Sequence, residues 1–356
     1  MKVHDEKISI IIPVYDAQAY ISETIESVLR QTYINWELIL VDNMSGDRSL
    51  EICRTYEEKY DNIFVYQEGK KGVSHARNCG LKHAAGEYFV FVDADDLFPD
   101  ENVLKRYVIA MKRTNADIVV GNYERLWKGK HLAATSNEVF SEKDRESKDF
   151  RFQGFFSVGT LSYVWGKMYR REFLEKNHIM FGNYSYSEDQ MFNLYCYING
   201  ARYAFLRSIG YTYRMNSESI SFRYREDARE NWLSMAHDLD LYIQKKGKQN
   251  ELSEVVDAII LFATFFNGKM EYTGRSLKAA AKLLKAYGAD PLGRKCFKRR
   301  AFGASICSSS LLMWKLAIRI YALGMCLHLY YLWAVLIKLL VDFRIDERLS
   351  DTGVRE

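Results

Sequence analysis

Short apolar runs alternate with amphipathic stretches through the first third of the chain. The runs ISIIIPV (8–14) and WELILVD (36–42) are apolar at nearly every position, a pattern typical of parallel strands buried on both faces. Between them, YISETIESVLRQTY (20–33) repeats its apolar residues at the spacing of an amphipathic helix. Further strands are predicted at 62–68, 87–93 and 117–123, and further helices at 49–60, 74–86 (closing at Gly86) and 100–114.

This alternation predicts an α/β fold with a Rossmann-like, doubly wound and mostly parallel sheet, because parallel neighbours need crossover connections. Ligands of such sheets bind outside the carboxyl ends of the strands. The middle of the chain is less periodic and rich in aromatic residues, and a helical pattern resumes at 226. We therefore predict a sheet domain at 1–225, a helical extension at 226–293 and a basic, apolar segment at 294–356.

Composition narrows the class of protein further. With 48% hydrophobic and 27% charged residues the chain is typical of a globular protein, and 356 residues exceed one ordinary core. A net charge of +4 is too small to indicate a nucleic-acid partner. The six Cys residues show no Cys-x-x-Cys spacing, which argues against a zinc site or a disulfide framework and favours a reducing cytosol.

Carboxylates follow two of the predicted strands at the point where each strand ends. Asp42 ends one strand, and Asp93 and Asp95 follow the run FVFV of another. We expect all three at one edge of the sheet. An Asp-x-Asp pair without His or Cys suits Mg²⁺ or Mn²⁺, which bind carboxylates together with substrate phosphates. A solvated turn or a helix cap explains the same pair equally well.

Several motifs in a fixed order resemble those of the inverting family 2 glycosyltransferases, which have the GT-A fold. The resemblance rests on ISIIIPVYDAQAYISETIESVLRQTYINWELILVDNMSGDRS (8–49) and GVSHARNCGLKHAAGEYFVFVDADD (72–96), with weaker motifs to about 221. It implies that 1–225 form a GT-A nucleotide-sugar-binding and catalytic domain. It also implies transfer of one sugar from a nucleotide-diphosphate sugar, a UDP-sugar, with inversion.

The resemblance assigns the nucleotide site residue by residue. The motif PVYD places Pro13, Val14 and Tyr15 around the nucleotide base, and Asp42 matches an Asp that binds uracil. A carboxylate suits that task because it accepts the imide N–H of the ring. Arg77, in the motif ARN, is then a partner of the nucleotide.

The resemblance also implies a metal site. Asp93 would face the ribose and the metal, and Asp95 would be the direct ligand of Mn²⁺ or Mg²⁺. YRMNSESIS (213–221) resembles a loop that closes over the diphosphate, with Arg214 as its positive charge.

The catalytic base is implied by the motif SEDQ (187–190), which puts Asp189 in that role. Glu188 is the rival base or a supporting residue, since consecutive helical residues point about 100° apart and cannot both face the acceptor. An acidic first turn that complements the helix dipole is the alternative explanation of this pair.

Two positions depart from the family pattern. Asp16 stands where an Asn is usual and adds an anion near the expected phosphate site, so we expect its side chain to point elsewhere. Asn43-Met44 replaces an acidic residue and a Gly, and a positive φ is costly for Met44. The turn after Asp42 is therefore expected to differ from the family.

The end of the chain is basic and then apolar. RKCFKRR (294–300) precedes IYALGMCLHLYYLWAVLI (320–337), whose 18 residues reach the lower limit for a spanning helix. Basic residues before the apolar run fit the cytoplasmic side of a membrane, where anionic lipid attracts them. We predict membrane association at the cytoplasmic face. Whether 316–341 span the bilayer, lie on it or form a buried helix stays open.

The expected acceptor is a polyprenyl-diphosphate-linked glycan at that membrane face, as in capsule, exopolysaccharide or O-antigen assembly. The family's processive members carry a Gln-x-x-Arg-Trp motif that this sequence lacks, so one sugar per encounter is expected. Two alternatives are a nucleotidyltransferase of sugar metabolism and a catalytically lapsed membrane scaffold. The first would need a Gly-rich, Lys-bearing loop after the first strand, and the second would need the site carboxylates to be lost.

Overall fold

The computed structural model describes residues 6–133, 137, 140–157, 160–215, 225–307 and 312–343. The chain divides into two compact units, one of Met1–Lys143 with Thr160–Ser217 and the other of Asp144–Gly159 with Glu218–Glu356.

The strands found among the described residues belong to the first unit. They are β1 (Ile8–Val14), β2 (Trp36–Asp42), β3 (Ile63–Gln67), β4 (Tyr88–Phe91), β5 (Ile118–Trp127), β6 (Lys130–Ala133), β7 (Lys167–Arg170) and β8 (Tyr203–Arg214). The helices of this unit are α1 (Ile21–Leu29), α2 (Ser49–Lys59), α3 (Val73–His83), α4 (Val103–Thr114), α6 (Arg171–Lys176) and α7 (Glu188–Ile198).

The strands form one sheet in the order β3-β2-β1-β4-β7-β5-β6, with β8 also paired to β5. The first four strands run parallel to one another, as does β8 to β5, whereas β7 is antiparallel to β4 and β5. The predicted α/β class with a mostly parallel sheet is therefore confirmed. Strands β1 and β2 are buried along their whole length, which explains why both faces are apolar in sequence.

Two glycines set how closely α3 and the chain after it pack on β1. A Cβ at Gly80 would lie 2.4 Å from the Ile11 side chain, so α3 approaches the sheet at a distance that other residues do not permit. Gly86 does not close that helix as predicted, because α3 ends at His83. A Cβ at Gly86 would lie 2.6 Å from the carbonyl oxygen of Lys7, which makes close backbone packing the reason for this glycine.

The second unit is helical. Its helices are α5 (Lys148–Phe152), α8 (Ala228–Lys245), α9 (Gln249–Gly274), α10 (Leu277–Ala289), α11 (Pro291–Phe302), α12 (Leu312–Cys326) and α13 (Tyr330–Asp342). Buried ion pairs lie between these helices: Arg151 pairs with Glu254, and Asp257 pairs with Arg299 and Arg300.

The apolar run 320–337 is divided between two helices. The chain turns after Cys326, where His328 has a φ of 58°, and α13 then begins at Tyr330. In the part of the chain that the structure describes, no helix combines the length and the apolar character needed to cross a bilayer.

Candidate active site at the carboxyl edge of the sheet

Of the site residues predicted from sequence, Asp42, Asp93 and Asp95 lie at the carboxyl ends of the two strands that flank β1, whereas α3 and α7 carry others. Val14 ends β1 opposite Asp42 at the end of β2, and β4, the other neighbour of β1, ends two residues before Asp93. The N–H of Asn43 donates to the carbonyl oxygen of Val14 at 2.8 Å, which continues the pairing past the end of β2. The parallel pairing is therefore the reason that residues distant in sequence emerge at one edge.

Asp42 is 2% exposed, and its Oδ1 atom has no hydrogen-bond partner. A buried carboxylate oxygen without a donor is costly, so this atom is a natural acceptor for a ligand N–H. The neighbouring Asn43 is fully engaged: its Oδ1 accepts from the N–H of Gly72 at 2.7 Å, and its Nδ2 donates to the carbonyl oxygens of Glu68 and Lys70. Asn43 thereby holds the loop that leads into α3.

The turn after Asp42 contains Met44 and is held by Asp16. Met44 has a φ of 66°, the left-handed conformation that is costly for a residue with a Cβ. The cost, about 1–2 kcal/mol for a residue with a Cβ, is outweighed by the surrounding bonds. One of these bonds comes from Asp16, whose Oδ1 accepts from the N–H of Gly46 at 2.7 Å. The carboxylate of Asp16 is therefore hydrogen-bonded within the turn.

Pro13 and Val14 lie in β1 and are buried, whereas Tyr15 is 45% exposed just beyond the strand. The Lys71 ammonium lies 5.0 Å from the centre of the Tyr15 ring and 3.3 Å from its hydroxyl. Tyr15 with Lys71 therefore presents an open aromatic face and a cation at this edge, whereas the two preceding residues support it from within the sheet.

Arg77, on α3, joins two acidic segments of the site. Its Nη2 donates to Asp93 at 2.9 Å and its Nη1 donates to Glu188 at 2.5 Å, and its side chain is 4% exposed. Both partners raise the pKa of the guanidinium, which stays charged in spite of its burial. The turn after β4 and the start of α7 are therefore held together by one buried cation.

Glu188 and Asp189 have different surroundings. Glu188 is buried and committed to Arg77, whereas Asp189 receives a 2.8 Å hydrogen bond from the N–H of Gln190. Burial, and next to it the Glu188 carboxylate, raise the pKa of Asp189 to about 7. Ser187, directly before them, has a φ of 59°, a conformation uncommon for residues other than Gly. Of the two carboxylates, Asp189 is the one suited to exchange a proton near neutral pH.

Asp93 and Asp95 form the acidic turn after β4. Burial, and then the charge of Asp93, raise the pKa of Asp95 to about 6, whereas Arg214 opposes this rise. The ionised form of Asp95, which burial and the charge of Asp93 disfavour, is one that a hard divalent cation would stabilise. Among the described residues, no group of three or more His, Cys, Asp or Glu side chains converges on a metal position. A Mg²⁺ ion held by one or two carboxylates takes its other ligands from water or from substrate phosphates.

Arg214 lies at the end of β8. Its Nη2 donates to Glu23 at 2.7 Å, its guanidinium lies 5.0 Å from the centre of the Tyr20 ring, and its Nε is buried without a partner. The following part of the predicted phosphate loop, 216–221, lies outside the described residues.

Two residues of this edge were not assigned a role from the sequence. Asp96 is fully buried and accepts from the Tyr211 hydroxyl and from the N–H of Arg214, both at 2.7 Å. Burial, and then Asp95 and Asp93, raise the pKa of Asp96 well above its usual range. The fourth letter of DADD was the available signal for Asp96, but nothing local connects it with Tyr211.

A segment rich in aromatic residues lies next to Asp189, since Nδ2 of Asn193 donates to the carbonyl oxygens of both Tyr163 and Asp189. Trp165 is stacked between Tyr163, at 4.4 Å, and Tyr211, at 4.6 Å, and is itself 6% exposed. Lys167 is buried with its ammonium donating to the carbonyl oxygens of Thr160 and Tyr163, and burial lowers its pKa to about 7. Lys167 thus shapes the loop that carries the rings.

Comparison with known proteins agrees with this architecture. Residues 9–177 match the family model described as Glycosyl transferase family 2. The chain is 29% identical to glycosyltransferase GlyG of Streptococcus pneumoniae over 75% of this chain and 88% of that protein. It is 30% identical to poly(ribitol-phosphate) beta-glucosyltransferase of Bacillus spizizenii over 75% of this chain, but spans 40% of that longer protein.

Among solved structures, S. aureus TarS 1-349 in complex with UDP-GlcNAc superposes with a TM-score of 0.61 at 21% identity. The match covers 89% of each chain. This likeness establishes the shared fold.

Proposed function

The chain belongs to glycosyl transferase family 2, and from this premise we propose that it moves one sugar from a UDP-sugar to a hydroxyl group of a glycan acceptor, with inversion. The observation that carries the proposal is the bridge that Arg77 forms between Asp93 and Glu188. Through it, the acidic turn suited to a nucleotide diphosphate lies beside Asp189, the carboxylate suited to deprotonate an acceptor. Asp42 and Tyr15 complete the donor side.

Inverting transfer is a single displacement at the anomeric carbon through an oxocarbenium-like transition state. The acceptor oxygen forms the new bond, its proton passes to the carboxylate of Asp189, and the bond to the nucleoside diphosphate breaks with both electrons leaving on oxygen. Negative charge therefore grows on the departing diphosphate. Arg214, at the end of β8, supplies a positive charge on that side.

Mn²⁺ or Mg²⁺ would be held by Asp95 and Asp93 together with phosphate oxygens of the donor. When bound, such an ion neutralises charge on the leaving diphosphate. The raised pKa of Asp95 supports this assignment, because burial and the charge of Asp93 disfavour the ionised form of Asp95, which a bound cation would favour.

The uracil preference rests on Asp42. Its buried, unpartnered Oδ1 is matched by an imide N–H, which uracil offers at the edge of its ring. The name of the Bacillus spizizenii relative describes transfer of glucose, and it supports an acceptor in polysaccharide or teichoic acid type biosynthesis.

The test is a donor screen with Mn²⁺ in which UDP- and GDP-sugars are supplied separately and release of nucleoside diphosphate is measured. Release of UDP supports the proposal. Release of pyrophosphate from a sugar phosphate and a nucleoside triphosphate would identify a nucleotidyltransferase instead. A protein that binds donors and releases nothing with any acceptor would be a catalytically lapsed scaffold.

The transfer rate should depend on pH through Asp189. The base acts when it is deprotonated, so with a pKa of about 7 the rate should rise with pH and level off above about 7. Below pH 7, kcat should fall about tenfold per pH unit, because the deprotonated fraction of Asp189 falls tenfold with each unit. The measurement is kcat at saturating donor from pH 5 to 9. A flat profile down to pH 5 would contradict Asp189 as the base.

We place the enzyme at the cytoplasmic face of the membrane, where a polyprenyl-diphosphate-linked glycan would be its acceptor. The support comes from charge and exposure at the end of the chain. Residues 291–340 contain eight Lys and Arg and no Asp or Glu, and six of these cations remain when Arg299 and Arg300, which pair with Asp257, are set aside. Both last helices also expose apolar residues at helical spacing: Leu312, Leu316, Ile320 and Leu323 on α12, and Leu332, Leu336 and Leu339 on α13. Exposed apolar stripes beside cations suit insertion among anionic headgroups.

Membrane binding should therefore need these stripes. The double variant Leu316→Gln with Ile320→Gln should bind phosphatidylglycerol-containing vesicles about 100-fold less tightly, because it lacks two exposed aliphatic side chains that the membrane would bury. Flotation with vesicles measures this, and Leu241→Gln, which changes an exposed leucine of α8, is the matched control. Equal flotation of all three proteins would contradict the placement. A change from dimer to monomer on the double substitution would assign the stripes to a second copy of the chain.

A further inference from the structure

A buried hydrogen-bond network ties the acidic turn after β4 to the end of β8. The Tyr211 hydroxyl accepts from the N–H of Asp93 at 3.1 Å and donates to Oδ2 of Asp96 at 2.7 Å. The second oxygen of Asp96 accepts from the N–H of Arg214 at 2.7 Å. Two side chains, Asp96 and Tyr211, thus contact the backbone of a residue on each side of the proposed diphosphate site.

The surroundings of the network are rigid. Leu97 and Thr212 exchange two backbone hydrogen bonds, of 3.1 and 2.9 Å, which pair the chain after the turn with β8. Tyr211 is fully buried and is stacked on Trp165 at 4.6 Å. Removing the hydroxyl alone would therefore leave the ring in place and would take away the bonds to Asp93 and Asp96.

The backbone of Arg214 is held more firmly than its guanidinium group. Its N–H is held by buried Asp96, whereas its guanidinium meets Glu23, whose side chain is 56% exposed. An exposed ion pair of this kind contributes little to stability and is readily exchanged for a ligand. The Nε of Arg214 is buried without a partner and is one more donor for an incoming anion.

We infer that Asp96 and Tyr211 are positioning residues that fix Arg214 relative to Asp93 and Asp95, so that the arginine and the acidic turn act on one diphosphate. The inference rests on the proposed function and extends it to residues that do not themselves touch the donor. A diphosphate would draw Arg214 away from Glu23, and its backbone would stay in place because Asp96 holds it. The guanidinium of Arg214 then contacts the departing diphosphate, and no further rearrangement of the protein is needed at the moment of transfer.

The test is a double-mutant cycle of Tyr211→Phe and Arg214→Ala, with kcat and the KM for the donor measured for all four proteins. Arg214→Ala should lower kcat about 100-fold, as expected when one charged donor to a developing anion is lost. Tyr211→Phe should lower kcat about tenfold with little change in KM, because misplacement weakens contacts made in the transition state. In the Arg214→Ala background, Tyr211→Phe should cost less than about threefold, since the residue to be positioned is gone.

A matched control separates positioning from stability. Tyr107 is also a buried tyrosine of the same core, and its hydroxyl has no partner, so Tyr107→Phe makes the same chemical change without breaking a bond. Its kcat should equal that of the wild type. The kcat of Asp96→Asn should lie between those of the wild type and Asp96→Ala. The amide oxygen can still accept from one of the two donors, the Tyr211 hydroxyl or the N–H of Arg214.

The inference alone is overturned if the wild type transfers sugar and Tyr211→Phe keeps full kcat. It is also overturned if Tyr211→Phe lowers kcat equally in the wild-type and Arg214→Ala backgrounds. A wild type that transfers no sugar overturns the proposed function, and the inference with it. If Tyr211→Phe loses kcat in proportion to its loss of thermal stability, and Tyr107→Phe shows the same loss of kcat, then Tyr211 has a purely structural role.

Discussion

Asp189→Asn is expected to lower kcat about 10²–10⁴-fold, the usual contribution of a positioned general base, and to leave donor affinity nearly unchanged. An amide cannot take the proton of the acceptor hydroxyl, but it has almost the same shape as the carboxylate. The structure places Asp189 on α7, and the Arg77 ion pairs are with Asp93 and Glu188, so we expect binding of a nucleotide diphosphate not to depend on the charge of Asp189. Transfer kinetics and calorimetric titration with UDP measure the two effects.

The control for this substitution is Asp61→Asn, which makes the same change at an exposed turn and should keep the wild-type rate. Glu188→Gln supplies the comparison with the rival base. It breaks a buried ion pair, so its main effect should be on stability, by about 3–5 kcal/mol. Full turnover in Asp189→Asn, together with loss of turnover in a folded Glu188→Gln, would exchange the two assignments.

Asp95→Ala is expected to abolish Mn²⁺-dependent UDP binding and to lower the transfer rate about 10²–10³-fold, as when a group that stabilises transition-state charge is removed. The substitution removes the carboxylate proposed to hold the ion on the diphosphate, and Asp93 alone remains, already shared with Arg77. Titration of UDP in the presence and absence of Mn²⁺ checks the binding. The transfer rate at saturating Mn²⁺ checks the catalysis.

Asp100→Ala is the matched control, because Asp100 is an exposed aspartate in the same stretch of chain and its carboxylate is committed to Arg106. It should lose the ion pair and keep metal-dependent binding. If Asp95→Ala binds UDP with the same Mn²⁺ dependence as the wild type, the metal assignment is wrong.

Much of this site was accessible from the sequence because the signals are local. Strand and helix periodicity predicted β1 to β5 within a few residues at most ends, and a parallel sheet must bring the carboxyl ends of its neighbours to one edge. That rule was sufficient to expect Asp42, Asp93 and Asp95 together. The end of β5 was missed because the strand continues to Trp127, where pairing with β6 and β8 supports it.

Other features depended on contacts that no local pattern encodes. Met44 adopts a positive φ because Asp16, which follows β1, holds the turn: its N–H donates to Oγ of Ser45 and its Oδ1 accepts from the N–H of Gly46. The apolar run near the end of the chain reads as one helix, but it is divided at His328 between α12 and α13.

By itself, then, the sequence determined the α/β class, the family and the carboxylates of the edge, because these follow from periodicity and from motifs within short stretches. The tertiary structure alone decided how those carboxylates differ. Arg77 meets Glu188 across 111 residues, burial and the charge of Glu188 raise the pKa of Asp189, and Tyr211 meets Asp96 across 115 residues. The charge and orientation of a carboxylate depend on the groups that surround it in three dimensions. Two neighbouring acidic residues therefore cannot be told apart from sequence until the fold supplies a partner for one of them.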